Sequence, residues 1–280
     1  MHGPIRAGKS LTDGALIATL NIAMPRAVDL QEVTTLGQAI ARQGYGVVEN
    51  YFHTGELAQL QRFARDTATT ANGEYIAFHG NAALADTVLG TLGDCDAFRL
   101  FCRQLYETST GRAPPEQDFY QVFRCLKGES GRRQSGIFHY DSYVVTVLFP
   151  VLLPDQGPAG DLILFPNRRA IRASYVRNLM DKLLIDNPLA QRLLRKLARL
   201  RNHDATAIRL RPGDAYVFWG YRSLHANEAC APNQLRATAL IHYGDPHAGS
   251  GFRYLIRNIR ALLRACIRAL APRSGRSARC

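Results

Sequence analysis

The apolar positions of the chain change period near residue 118. Before that point they recur at helical spacing. Leu36, Ala39 and Ile40 mark a helix over Gln31–Gln43, which Gly44–Tyr45–Gly46 stops. Val47–Tyr51 reads as a short strand and Thr54–Thr67 as a second helix. Thr54 is its expected N-cap, and Glu56 places a negative charge in the first turn, where the helix dipole favours it. Leu57 stands three residues after Thr54, so no capping box is expected there. Helices and loops continue to about residue 116, and residues 1–30 read as an irregular N-terminal segment.

From Asp118 onward the pattern is that of strands. Phe119–Leu126 is aromatic and β-branched and ends at Lys127–Gly128. Gly136–His139 leads into Tyr143–Leu153, a turn follows over Pro154–Gly160, and Asp161–Phe165 runs to Pro166–Asn167. A helical insertion over about 174–201 carries leucines at 179, 183, 184, 193, 194, 197 and 200. Strands resume at Ala207–Leu210, Ala215–Trp219 and Arg236–Tyr243. Short strands with Gly/Pro punctuation, broken by one helical insert, predict a mainly β fold with α annexes: a double-sheet jelly roll at about 118–245 within a domain of 31–250. The last segment, 251–280, is basic. Over Phe252–Leu270, Leu255, Ile259, Leu262, Leu263, Cys266 and Leu270 share one helical face, and Arg257, Arg260, Arg264 and Arg268 another. Packing on the core and lying on an anionic membrane both suit such a helix.

Composition sharpens this only where it is uneven. The 280 residues carry a formal charge of +12. Residues 1–189 hold 18 Lys/Arg and 19 Asp/Glu, whereas residues 190–280 hold 17 and 4, so the excess lies in the C-terminal third. That asymmetry suits an anionic partner, or simply a basic solvated surface. The longest mainly apolar run, Val144–Leu153, is about half of the roughly 20 residues that a membrane-spanning helix needs. Ala15–Met24 loosely imitates a signal peptide, but Asp13 and Asn21 interrupt it, and a cytoplasmic location is expected. Six cysteines without CxxC or zinc-finger spacing read as reduced thiols.

The chemistry centres on His139–Tyr140–Asp141. In an extended segment, residues at i and i+2 leave the same face, so the imidazole and the carboxylate can reach one ion. His225, beyond the turn and strand Pro212–Trp219, is the best third ligand. Two histidines and one carboxylate leave coordination positions open, which suits non-haem Fe(II). Arg236 and Thr238 share one side of a strand and can grip a carboxylate together. Satisfied core histidines, a turn-capping Asp141 and a surface Arg236 are the ordinary alternatives for each residue alone.

The segments HYD, RPGDAYVFWGYRSLHAN and LRAT, with Gly44–Phe52 as lead-in, resemble the double-stranded β-helix of the Fe(II)- and 2-oxoglutarate-dependent oxygenases. The resemblance implies that His139, Asp141 and His225 hold Fe(II), that 2-oxoglutarate chelates it, and that Arg236 and Thr238 anchor the far carboxylate. O2 is then the second co-substrate and a hydroxylated product is expected. Family halogenases have a small residue in place of the aspartate, so Asp141 points to hydroxylation. Arg124 is a further candidate for co-substrate or substrate contact. Tyr120 and Gln121 are weaker ones, since alternation sends Gln121 to the face opposite Tyr120 and Arg124. Asn167 and Arg168 read as a turn, His242 as a supporting residue beside the metal, and Trp219 as core.

For the substrate, the basic C-terminal third and the DLILFPN and LRATALIHYGDPH segments resemble hydroxylases of the Kdo sugar of lipopolysaccharide. This implies a lipid-linked acidic sugar, with peripheral contact at the inner membrane through 252–270. A soluble hydroxylase of secondary metabolism, of the phytanoyl-CoA dioxygenase type, is the alternative, and a non-catalytic jelly roll binding a sugar or protein is a third reading. Nucleic acid is disfavoured, because no aromatic-basic interleaving marks a base-binding groove.

Overall fold

Strand β4 (Val145–Leu152) is buried at all eight positions, because sheet neighbours flank it and both of its faces are covered. The computed structural model describes residues 26–70, 75–200, 204–231 and 233–254. In it, β1 (Tyr45–Val48), β2 (Ile76–His79), β3 (Tyr120–Leu126), β7 (Ala215–Phe218) and β9 (Arg236–Tyr243) join β4 in a six-stranded sheet of order β1-β7-β4-β9-β3-β2. Strands β5 (Leu162–Phe165), β6 (Thr206–Ile208) and β8 (Leu224–Asn227) form a second sheet of order β6-β5-β8. Every pairing is antiparallel. The two sheets face each other as the expected jelly roll.

Two-residue alternation divides the large sheet. Val145, Val147, Phe149 and Val151 of β4, with Val217 of β7 and Ala239 and Ile241 of β9, face helices α1 (Leu30–Gln43), α2 (Thr54–Thr70) and α4 (Asp96–Thr110). Leu148, Tyr216 and Phe218 point the other way, onto Leu162, Leu164 and Ile208 of the small sheet. Short helices α3 (Val88–Asp94) and α5 (Gly128–Arg133) complete the helical layer and the link after β3.

Local chemistry sets the element ends. Asp29 caps α1, its carboxylate accepting from the Glu32 N–H at 2.8 Å. Gly44 ends the helix at φ 95°, where a Cβ would also lie 2.5 Å from Pro166. The start of α2 differs from expectation. The cap is His53, whose carbonyl accepts from the Leu57 N–H (3.0 Å) and whose own N–H donates to Glu56 (2.8 Å). Thus Glu56 closes the reciprocal half of a capping box at His53, where the sequence, read with Thr54 as the cap, suggested none. Strand β1 likewise ends before Tyr51, because Asn50 turns to φ 52° and its N–H donates to Asp214 (2.8 Å).

The insertion is two helices, α6 (Tyr175–Asp186) and α7 (Pro188–Arg199), broken where Asn187 caps α7 through the Leu189 N–H (2.8 Å). Gly128–Gly136 folds as α5 and a turn, held at one end by the Gly136 N–H donating to the Asn227 carbonyl (2.8 Å). Cys95, Cys102, Cys125 and Cys230 are unpaired thiols. Among the described residues, no helix is long and apolar enough to cross a membrane. The N-terminal segment through residue 25, and all but the first turn of the expected helix Phe252–Leu270, lie outside the described residues.

The hairpin α6–α7 is fastened to the chain just before His139. Gln191, buried, accepts from the Phe138 N–H (2.9 Å) and donates to the carbonyls of Phe138 and Ile185 (both 2.8 Å). Gln191→Leu leaves these backbone groups buried and unpaired, so urea unfolding should show a loss of about 2–4 kcal/mol. A loss below about 0.5 kcal/mol would mean that water replaces the amide there.

Candidate metal centre

His139 lies in no strand, yet its backbone is fixed to β8. It forms an isolated antiparallel bridge with His225, each N–H donating to the other's carbonyl at 3.0 and 3.1 Å. The two rings therefore stand side by side, with centroids 4.4 Å apart. Asp141, two residues on, presents its carboxylate to the same side, and its N–H donates to the Gly220 carbonyl (3.0 Å). Nε2 of His139 is 3.7 Å from Asp141 Oδ1, and Nε2 of His225 is 3.6 Å from Oδ2. One donor atom from each residue falls within 4.8 Å of the others. Among the described residues this is the one such group of three His, Cys, Asp or Glu side chains.

The donor set fits a divalent metal. Each ring's Nδ1 faces a backbone carbonyl at 3.0 Å, Ile137 for His139 and Ser223 for His225. Such a partner keeps the proton on Nδ1 and the lone pair on Nε2, the state a ligand needs. Burial and the neighbouring His225 push His139 down to about 4, so this ring is neutral at neutral pH. Burial opposes ionisation of Asp141, but His225, His242, His139 and the Thr146 hydroxyl outweigh it and hold the carboxyl well below the usual range. Thr146 donates to Asp141 Oδ2 at 2.5 Å and meets His242 Nδ1 at 3.1 Å. His242, on β9, thus supports the aspartate from behind, as its position in the strand suggested.

Arg236, Thr238 and His242 share one face of β9, and the register sets Arg124 against Thr238 and Tyr120 against His242. Arg236 is buried, and its Nε donates to the Gly160 carbonyl (3.1 Å). Burial and Arg124 push its pKa down to about 10. Arg124 also lowers the pKa of His139 and His242, so its charge is felt at the metal cluster as well as at Arg236. Among the described residues neither arginine has a carboxylate within ion-pair distance, and the Thr238 hydroxyl has no hydrogen-bond partner. Asp161 acts on Arg236 only from beyond ion-pair distance, so the two guanidinium groups are incompletely matched and describe a place for an anion.

The other candidates divide. Gln121 faces away and donates to the Leu89 carbonyl (2.9 Å). Tyr120 stands at the rim, stacked on Tyr143 (5.7 Å) and His242 (6.0 Å). Asn167 (φ 49°) donates to the Ile40 carbonyl (2.9 Å) and Arg168 pairs with Asp204, so neither joins the cluster. Trp219 is in the core.

Sequence reasoning missed five supports. Gly220 leaves room that a Cβ would take from the Asp141 carboxylate and the Thr146 hydroxyl. Thr146 and Tyr143 had no motif to mark them. Lys182 comes from α6, and its Nζ donates to Ser142 Oγ at 2.8 Å, one residue from Asp141. Arg169 lies between the rings of Tyr140 (4.0 Å) and Tyr221 (4.2 Å) and pairs with Asp181 of α6 (2.9 Å), which explains the middle residue of the HYD motif.

Gly220→Ala should weaken Co(II) or Mn(II) binding at least ~10-fold in calorimetric titration, about 1.4 kcal/mol, while far-UV circular dichroism stays unchanged. Wild-type affinity in that variant would mean that the carboxylate position is not set by this contact.

No protein-family model and no curated relative matches the chain. Solved structures do. SnoN from nogalamycin biosynthesis, a non-haem α-ketoglutarate-dependent epimerase solved with Fe3+, α-ketoglutarate and nogalamycin RO, aligns at TM-score 0.50 and 15% identity, over 78% of this chain and 85% of that one. The carbocyclase SnoK of the same biosynthesis aligns at 0.50 and 14%, over 79% and 87%. A prolyl 4-hydroxylase of Phytophthora capsici aligns at 0.50 and 13%, over 78% and 64%. At such identities the likeness is one of fold. The chain shares the double-stranded β-helix fold of these structures, and within it His139, Asp141 and His225 converge on one point.

Proposed function

We propose that the protein is an Fe(II)- and 2-oxoglutarate-dependent dioxygenase that hydroxylates an unactivated C–H bond of an acidic substrate. The observation that carries this reading is the convergence of two imidazoles and one carboxylate beside an arginine pair with no carboxylate within ion-pair distance among the described residues. When bound, ferrous iron and 2-oxoglutarate supply the activation of O2 and the oxidising power, with succinate and CO2 as co-products.

The chain's own residues supply placement. His139 and His225 offer Nε2. Thr146 occupies Asp141 Oδ2 and leaves Oδ1 the freer donor. Arg236 and Thr238 bind the far carboxylate of 2-oxoglutarate, and Arg124 adds positive charge felt both there and at the metal cluster. The Tyr143–Tyr120–His242 stack walls the cluster on one side and excludes water. Lys182 reaches in from the insertion, and among the described residues it has no carboxylate within ion-pair distance. It binds the acid group of the substrate.

An acidic, lipid-linked sugar such as Kdo meets these requirements and suits the basic C-terminal third of the chain. A second reading, a soluble hydroxylase of a secondary metabolite, draws on the fold likeness to SnoN and SnoK.

Anaerobic titration with Fe(II) and 2-oxoglutarate should give the weak visible charge-transfer band of the chelate, lost in His225→Ala. Arg236→Leu should raise the 2-oxoglutarate dissociation constant by roughly 10–100-fold, the equivalent of losing charged hydrogen bonds of about 1.5–3 kcal/mol. Absence of the band in the wild type would overturn the reaction and favour a binding jelly roll.

Lys182→Ala should leave 2-oxoglutarate binding unchanged but abolish most of the succinate formation that a Kdo-lipid adds to the uncoupled rate. Stimulation by a neutral polyketide instead, insensitive to Lys182, would favour the secondary-metabolite reading.

A further inference from the structure

The outer side of the α6–α7 hairpin is apolar where a solvent-facing helix surface is ordinarily polar. On α6, Val176, Met180, Leu183 and Leu184 stand at i, i+4, i+7 and i+8, and all are exposed. On α7 and its end, Leu189, Leu193, Leu197 and Leu200 stand at i, i+4, i+8 and i+11, with Leu189 71% exposed. These side chains are not needed inside. The inner side is already filled by Ile185, Leu194 and Ala198 against Phe138, Phe165 and Leu224, and by the buried amides of Asn178 and Gln191. Eight exposed large apolar side chains on one hairpin exceed what scattered surface residues account for and mark an interaction surface.

Charge identifies the partner. Arg192, Lys196 and Arg199 each precede an exposed leucine by one residue, so a basic stripe runs beside the apolar one along α7. No Asp or Glu occurs between Asp186 and Asp204. We propose that this face docks the protein on an anionic lipid surface, leucines among the acyl chains and the basic stripe at the headgroup phosphates. A second copy of the chain would set the same basic stripe against itself. Residues 255–280, with seven arginines and no acid, would add like charge to like charge. Positive charge spread over two separate segments suits an extended anionic surface better than one compact acidic partner. This inference is independent of the reaction proposed above.

The test is co-sedimentation of the full chain with vesicles of phosphatidylcholine alone or with about one third phosphatidylglycerol. Wild type should partition onto the anionic vesicles. Leu183→Gln/Leu184→Gln/Leu193→Gln should reduce the bound fraction at least ~10-fold with an unchanged melting temperature, since all three side chains are exposed. Arg192→Glu/Lys196→Glu should do the same by removing the headgroup contact. Wild-type binding by the triple variant would overturn the proposal and locate the contact elsewhere, residues 255–280 included. Wild type left in the supernatant would also overturn it. Light scattering would then show whether the face joins two copies instead.

Discussion

The site depends on keeping one buried carboxylate charged. Asp141 is nine-tenths buried, and an isolated carboxylate there would take up a proton rather than stay ionised. What prevents this is a set of groups drawn from far along the chain: Thr146 from β4, His242 from β9, His225 from β8 and His139 beside it. Gly220 is glycine for the same reason, since the carboxylate and the Thr146 hydroxyl fill the space a side chain would take. Each support sits on a different element, so the two sheets must close in register before any of them can act. Fold and site are therefore one construction, and the bridge between His139 and His225 is where the sheet and the metal motif meet.

The same economy ties the insertion to the centre. Asp181 and Lys182 are adjacent on α6. Asp181 pairs with Arg169 and Arg172, and Arg169 lies between the rings of Tyr140 and Tyr221. Lys182 ends at Ser142. One turn of helix thus holds the middle of the HYD motif and the residue after it, while Gln191 on the partner helix holds the residue before it. A shift of the hairpin would move Tyr140 and Ser142 together, and with them the ligands on either side.

How far this was legible depends on how local each signal is. Residues two apart in an extended segment must share a face, so His139 with Asp141, and Arg236 with Thr238, could be paired from spacing alone. Strand β9 was bounded correctly because alternation runs its full length. Strand β8 was missed although it is as long as β5 and β7, and β2 because it is an edge strand with half-exposed residues and no alternation to read. Thr146, Gly220 and Lys182 carry no motif. Their roles exist only once β4, the loop after β7 and α6 are brought together, and no window on the sequence contains that information. The leucines of the insertion announced helices correctly but not their orientation. Periodicity gives an apolar face without saying what covers it, and here two amides, Asn178 and Gln191, went inward beside Ile185 and Leu194 while Leu183, Leu184, Leu193, Leu197 and Leu200 stayed exposed.

That inversion has a physical consequence for the centre. A hairpin whose inner side is held by hydrogen bonds to backbone is positioned by direction as well as by packing, since Gln191 has to meet both the N–H and the carbonyl of Phe138. Its outer side is then free of any structural duty and can be apolar without loss of the fold. The two sides of α6 and α7 answer to different partners, the inner one to the metal motif and the outer one to whatever lies beyond the protein. Because the same two helices carry both, a surface that engaged the leucines would lie on the side of the hairpin opposite Lys182 and the cluster behind it.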